Sequence, residues 1–128
     1  MRRTNAQLDI FTRKESKVWM EKEQDLVNSC LEYLQIKGIP CWRQNQGAMR
    51  GTYKGRRWFV RFTSIKGISD ILGVLPPAGR LLAVEAKVRP NKPSEDQERF
   101  ITMVNAAGGL ALVVYDLREL VTAIKEAA

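Results

Sequence analysis

Three charged residues interrupt two apolar runs near the middle of the chain, and their types and spacing are those of a catalytic or metal-binding group. The first run is Ile65-Lys66-Gly67-Ile68-Ser69-Asp70-Ile71-Leu72-Gly73-Val74-Leu75. A Pro76-Pro77-Ala78-Gly79 turn follows, and then Arg80-Leu81-Leu82-Ala83-Val84-Glu85-Ala86-Lys87-Val88. Apolar runs on both sides of a Pro/Gly turn predict a β-hairpin. With Pro77 and Ala78 at the turn centre, residues whose numbers sum to 155 face each other, so Asp70 faces Glu85. Directly opposed residues have Cβ atoms about 4.5–5.5 Å apart. Glu85 and Lys87 are two apart and share one strand face. Buried charge is costly unless it is paired or holds a metal. Two adjoining carboxylates repel unless a cation lies between them, and such hard oxygen ligands suit Mg²⁺ or Mn²⁺. A structural ion pair of Asp70 or Glu85 with Lys87 is the alternative.

Other elements must hold these residues in place. Residues 16–37 have helical periodicity, with Trp19, Met20, Leu26, Val27, Cys30, Leu31 and Leu34 on one side and Gly38 as the stop. Glu23 projects into that apolar stripe, so it either pairs with a lysine, reaches the acidic patch or lies in a frayed first turn. Residues 39–45 read as a short strand opened by Pro40, residues 47–55 as a Gly-rich polar stretch, and residues 56–63 as an alternating strand with a basic face. After the hairpin, Ser94 and Gln97 have capping-box spacing for a helix with Phe100, Ile101, Met103 and Val104 as its apolar positions, stopped by Gly108-Gly109. Residues 110–115 read as a buried strand. Asp116 and Glu119 form a second capping box before a helix with Leu117, Leu120, Val121 and Ile124 on its face. A helical crossover between Lys87 and Leu110 allows two parallel strands, which gives an α/β architecture: a mixed sheet with helices on its faces.

Composition narrows the function. The chain has 128 residues, suited to one domain; residues 1–15 read as a basic, flexible N-terminal arm and 16–128 as a single domain. Twenty-one Lys and Arg against 14 Asp and Glu leave a net +7, which favours a polyanionic partner, most often nucleic acid. Arg50, Lys54, Arg56, Arg57, Arg61 and Lys66, interleaved with Tyr53, Trp58 and Phe59, form the densest basic region and suit phosphate contact. There is no histidine, which excludes a histidine base and histidine-ligated zinc. Cys30 and Cys41 lack CxxC spacing, sit in apolar segments and read as buried free thiols in a reducing, cytoplasmic compartment. No apolar run is long enough to span a membrane, and the N-terminus has no signal-peptide pattern.

Ser69-Asp70 followed across a short hairpin by Glu85-Ala86-Lys87 resembles the signature of the PD-(D/E)XK nucleases, with Ser69 where proline is usual. The helix carrying Glu23, the segment Trp42-Arg43-Gln44-Asn45-Gln46-Gly47, the Gly67-Ile68-Ser69-Asp70 approach and Ser94-Glu95-Asp96-Gln97 narrow the resemblance to stand-alone, phage-type VRR-NUC nucleases, over residues 20–115. The resemblance implies a restriction-endonuclease-like fold, an αβββαβ core plus a C-terminal helix, and Mg²⁺- or Mn²⁺-dependent hydrolysis of DNA phosphodiesters. By the same resemblance Asp70, Glu85 and the Ala86 carbonyl would hold the metal, Lys87 would act on the attacking water and the developing charge, and Glu23 and Gln97 would complete the catalytic group. Gln97 has the capping box as its other explanation. Arg43 and Asn45 would join the basic residues against DNA. A phage or prophage origin, and a homodimer acting on branched DNA such as a four-way junction, are further implications. Val18, Trp19, Met20, Tyr53 and Trp58 are candidate interface residues.

Two rivals remain at this level: a non-catalytic basic DNA-binding module, and an RNA-processing nuclease of related fold. Replacing Arg56, Arg57 and Arg61 together by Ala is expected to weaken DNA binding and flatten the slope of log K against log salt. An unchanged slope in a fluorescence-anisotropy titration would put the DNA surface elsewhere.

Overall fold

The computed structural model describes residues 22–44, 48–61 and 65–127, with the backbone alone at 48–51 and 58–61. Helix α1 covers residues 22–36; the expected arm at 1–15 and the first turns of the expected helix lie outside the described residues. The chain continues through β1 (Cys41–Arg43), β2 (Ala48–Tyr53), β3 (Arg56–Arg61), β4 (Ile71–Leu75), β5 (Arg80–Ala86), α2 (Glu95–Ala106), β6 (Leu110–Val114) and α3 (Leu117–Ala127).

Local chemistry sets the helix ends. Gly38 takes φ 72°, its N–H donates to the Gln35 carbonyl at 3.0 Å, and the Ile39 N–H donates to Leu34 at 2.9 Å. This pair of bonds is a Schellman cap, and it satisfies carbonyls that a helix end would otherwise leave bare. Ser94 and Gln97 form the expected reciprocal capping box on α2. At α3, Asp116 Oδ1 accepts the Glu119 N–H at 3.1 Å, but the Glu119 carboxylate reaches one residue further back than expected and accepts the Tyr115 N–H at 3.1 Å.

The main sheet has the order β1-β4-β5-β6. β4 pairs antiparallel with β1 and β5, whereas β5 and β6, joined by the α2 crossover, are parallel. Ile71 faces Val84 and Leu75 faces Arg80, so the hairpin has the register in which numbers sum to 155. β5 is buried from Leu82 through Ala86 because helices cover both faces. On one face Val27, Cys30 and Leu34 of α1 and Leu120 of α3 pack with Ile71, Leu82, Val84 and Val114. On the other, Phe100 and Val104 of α2 pack with Leu72, Ala83 and Ala111. Each large aliphatic or aromatic side chain so buried contributes about 1.5–3 kcal/mol.

The structure corrects several expectations. The polar stretch at 47–55 contains strand β2, paired with β3 in a separate two-stranded sheet. Its turn is Lys54-Gly55, with φ 50° and 75°, the positive values that tight hairpin turns demand. The strand expected at 39–45 shortens to Cys41–Arg43, and the Pro40 carbonyl accepts the Val74 N–H at 2.9 Å at its entry. The strand expected at 56–63 is Arg56–Arg61, with 62 and 63 outside the described residues. Met103 is 52% exposed, because Phe100 and Val104 already fill the stripe of α2 that meets the sheet. With β2–β3 as an insertion, α1, β1, β4, β5, α2 and β6 make the αβββαβ core, and α3 is the added C-terminal helix.

One glycine ties the hairpin to α2. Gly67 has φ 73°, and a Cβ there would stand 2.2 Å from the Asp96 carbonyl carbon. The loop before Asp70 can lie against the first turn of α2 only with a residue that lacks a side chain and tolerates positive φ. Gly67→Ala is expected to destabilise the fold by about 1–3 kcal/mol, read as a lowered urea midpoint. A midpoint equal to wild type would contradict this close approach.

Candidate active site

β4 and β5 bring Asp70, Glu85 and Lys87 together at one end of the main sheet. A cleft of about 470 Å³ opens there. Its floor and walls come from these three residues, from Glu23, Gln24 and Val27 of α1, from Arg43 and Gln44 at the end of β1, and from Gln97 of α2. The backbone also fixes Asp70: its Oδ2 accepts the Ala86 N–H at 2.9 Å, and its carbonyl accepts the Gln44 N–H at 2.7 Å.

Glu85 is 1% exposed on a strand covered from both sides. Its Oε1 accepts from Gln97 Nε2 at 3.0 Å and lies 3.8 Å from Lys87 Nζ. Glu85 Oε2 is buried and has no hydrogen-bond partner among the described residues. Burial first, and repulsion from Asp70 second, push the Glu85 carboxyl up to about 8 against the pull of Lys87. The Asp70 carboxylate is close enough to be a hydrogen-bond partner of protonated Glu85 and raises its value further, while the Asp70 backbone N–H works the other way and lowers it. Only a proton or a cation joins two acceptors stably.

This donor set fits a small divalent cation. Mg²⁺ is commonly held by one or two carboxylates while keeping several waters. Among the described residues no group of three or more His, Cys, Asp or Glu side chains forms a cage, so water and substrate oxygens would complete the shell. Glu23 lines the cleft without joining such a cage. Burial raises its carboxyl above the ordinary range; Lys87 opposes the rise and Asp70 adds to it. The Cys30 thiol is pushed up to about 11 by burial and then by Asp70, so it is a neutral member of the core; Cys41, also expected to be buried, is only half-buried near the start of the exposed β1 edge.

A solved structure titled "VRR_NUC domain" superposes on this chain with a TM-score of 0.58 and 22% sequence identity, covering 84% of this chain and 98% of its own. The fold is that of a VRR-NUC domain. No protein-family model and no curated protein matches the sequence.

Within the VRR-NUC fold, the residues expected from sequence divide into three groups. Glu23, Asp70, Glu85, Lys87, Gln97 and Arg43 line one cleft. Ala86 is fully buried beside them, with its N–H on Asp70. Gln97 forms the capping box and also touches the acidic pair, since Oε1 accepts the Ser94 N–H at 2.8 Å while Nε2 donates to Glu85 at 3.0 Å. The ion pair of Lys87 with Glu85 is also present. Lys54, Arg56, Arg57 and Lys66 are exposed away from the cleft lining, the first three on the β2–β3 hairpin. Asn45 and the side chains of Arg50, Arg61 and Trp58 lie outside the described residues, as do Val18, Trp19 and Met20; Tyr53 is 68% exposed.

Sequence reasoning missed Gln24 and Asn28. Both accept from Arg43, Gln24 Oε1 from one terminal nitrogen at 2.6 Å and Asn28 Oδ1 from the other. Their i, i+4 spacing directly after Glu23 was the available signal.

A raised carboxyl favours the fold only while it is protonated. Its stabilisation is complete below the unfolded value near 4.5 and is lost as pH rises toward the folded value of about 8. In EDTA the melting temperature is therefore expected to fall between pH 5 and pH 8, with a much flatter profile in Glu85→Gln. Millimolar Mn²⁺ should restore wild-type stability at pH 8, where it replaces the lost proton, and should do nothing for Glu85→Gln. Equal pH profiles for the two proteins by differential scanning fluorimetry would contradict this origin of the dependence.

Proposed function

We propose that the protein is a divalent-metal-dependent DNA endonuclease. The observation that carries this reading is the buried Glu85 carboxylate beside Asp70, with Lys87 and Gln97 on Oε1 and no hydrogen-bond partner on Oε2 among the described residues. Asp70 and Glu85 would hold Mg²⁺ or Mn²⁺, and the Ala86 carbonyl would be a further backbone ligand. When bound, the metal supplies charge for the phosphoryl oxygens and makes water a better nucleophile.

The chain's own residues do the rest. Lys87, its side chain 15% exposed at the cleft wall, orients the attacking water through Nζ and offsets charge developing on the phosphate. Gln97 fixes the Glu85 carboxylate through Oε1 by an amide locked in turn to the N-terminus of α2. Glu23, its carboxyl raised, takes part through water on the α1 side. The net +7 draws in a polyanion despite the acidic centre. Exposed Lys54, Arg56, Arg57 and Lys66 give a phosphate-contacting surface beyond the cleft, and Asn45, Arg50 and Arg61 extend it by sequence.

The reading extends to an intracellular, phage-type enzyme that acts as a homodimer on branched DNA. Cys30 and Cys41 are unpaired, as suits a reducing compartment, and among the described residues no helix is long and apolar enough to cross a membrane. Two symmetric cuts need two sites, and a two-fold dimer supplies them.

Lys87→Ala is expected to lower cleavage of labelled duplex and junction DNA by two orders of magnitude or more, on the scale of general catalytic groups, while Mn²⁺ binding survives. Glu85→Ala should lose both metal and activity. Full cleavage in excess EDTA, or a normal rate in Lys87→Ala, would overturn the reading.

A further inference from the structure

Two arginines at the catalytic end of the main sheet are held firmly, yet neither is neutralised. Arg43, the last residue of β1, donates one bond each to the neutral amides of Gln24 and Asn28. A guanidinium has five N–H donors in a fixed fork, so three remain, and Arg43 also lines the cleft. Arg89, two residues beyond Lys87, stacks with its guanidinium carbon 4.3 Å from the centroid of the Tyr115 ring. Tyr115 is itself anchored at the entry to α3 through Glu119. Both arginines are exposed, and neither has a carboxylate within ion-pair distance among the described residues. Other arginines are committed: Arg99 pairs with Glu95 and Asp96, Arg118 pairs with Asp116, and Arg80 is bonded to the Gly108 and Gly109 carbonyls.

Their positions follow from the strand order. β1 is one edge of the sheet and β6 the other. Arg43 therefore stands on one side of the Asp70–Glu85 pair, and Arg89 over Tyr115, just past β6, on the other. Neighbouring strands are about 4.8 Å apart, so the two edges are separated by roughly 14 Å. At 3.4 Å of helix axis per nucleotide that distance corresponds to about four nucleotides.

We propose that one DNA strand crosses this end of the sheet at right angles to the β-strands, with Arg43 and Arg89 gripping backbone phosphates on opposite sides of the acidic pair. A preorganised guanidinium fork suits a phosphate bidentately, and neutral partners keep its full charge available. The two grips also offset the repulsion between a polyanion and the carboxylates at the centre. This strand path rests on the nuclease reading above and adds to it where the substrate lies.

The test is a salt titration of binding in EDTA with a fluorescein-labelled single-stranded oligonucleotide of about eight nucleotides. Each phosphate contact on a single strand contributes about 0.7 to the slope of log K against log salt. Arg43→Gln and Arg89→Gln should each lower the slope by about that amount, and the double variant by about twice as much. Arg80→Gln, at the far end of β5, should leave the slope unchanged. The slope does not depend on the fraction of folded protein, so partial misfolding of a variant cannot imitate the result. Wild-type slopes in Arg43→Gln and Arg89→Gln would overturn the strand path, and if Mn²⁺-dependent cutting by wild type persists the nuclease reading stands without it. A wild-type protein that neither binds nor cuts DNA would overturn both.

Discussion

The β4–β5 register forces two carboxylates together, and the rest of the site is arranged around their repulsion. Asp70 is held by the Ala86 N–H and Glu85 is locked by Gln97, so neither can turn away. Glu85 cannot escape to water either, because its strand is buried on both faces. Buried charge is costly to a small domain even when it is partly paired, as Glu85 is by Lys87 and Gln97. A proton or a cation between the two carboxylates would relieve the cost.

Much of the remaining structure follows from that constraint. The Ser94–Gln97 capping box is both the start of α2 and the support of Glu85, so the helix terminus and the site are one hydrogen-bonded unit. Gly67 allows the Asp70 loop to approach that unit. From the other side, α1 contributes Val27 to the cleft lining, and polar residues that face the cleft and Arg43. Glu23 belongs to this second layer, which explains an acidic residue on an otherwise apolar stripe.

The legible part of the sequence was the part governed by short-range rules. The Pro76–Gly79 turn set the hairpin register, and the position of Asp70 opposite Glu85 followed by counting. Capping spacing located α2 and α3, and the crossover made β5 and β6 parallel. β2 was hidden because Gly47, Gly51 and Gly55 dilute its pattern, and a Lys54-Gly55 turn is a weaker signal than Asn-Gly or Asp-Gly. The second capping interaction shifted by one residue because Glu119 finds the Tyr115 N–H instead of the cap itself. Arg43 was visible as a basic residue, but its tether to Gln24 and Asn28 joins residues 19 and 15 positions apart, beyond any local pattern. The stack of Arg89 on Tyr115 is likewise made by tertiary packing alone.

The central claim is that a divalent cation belongs between Asp70 and Glu85. The most direct measurement is anomalous diffraction from crystals of the wild-type protein grown at pH 8 with Mn²⁺. The account predicts an anomalous peak within about 2.0–2.4 Å of a carboxylate oxygen of each residue. Full Mn²⁺ loading of the crystal with no peak between them, or with the metal held only at other acidic residues, would contradict it.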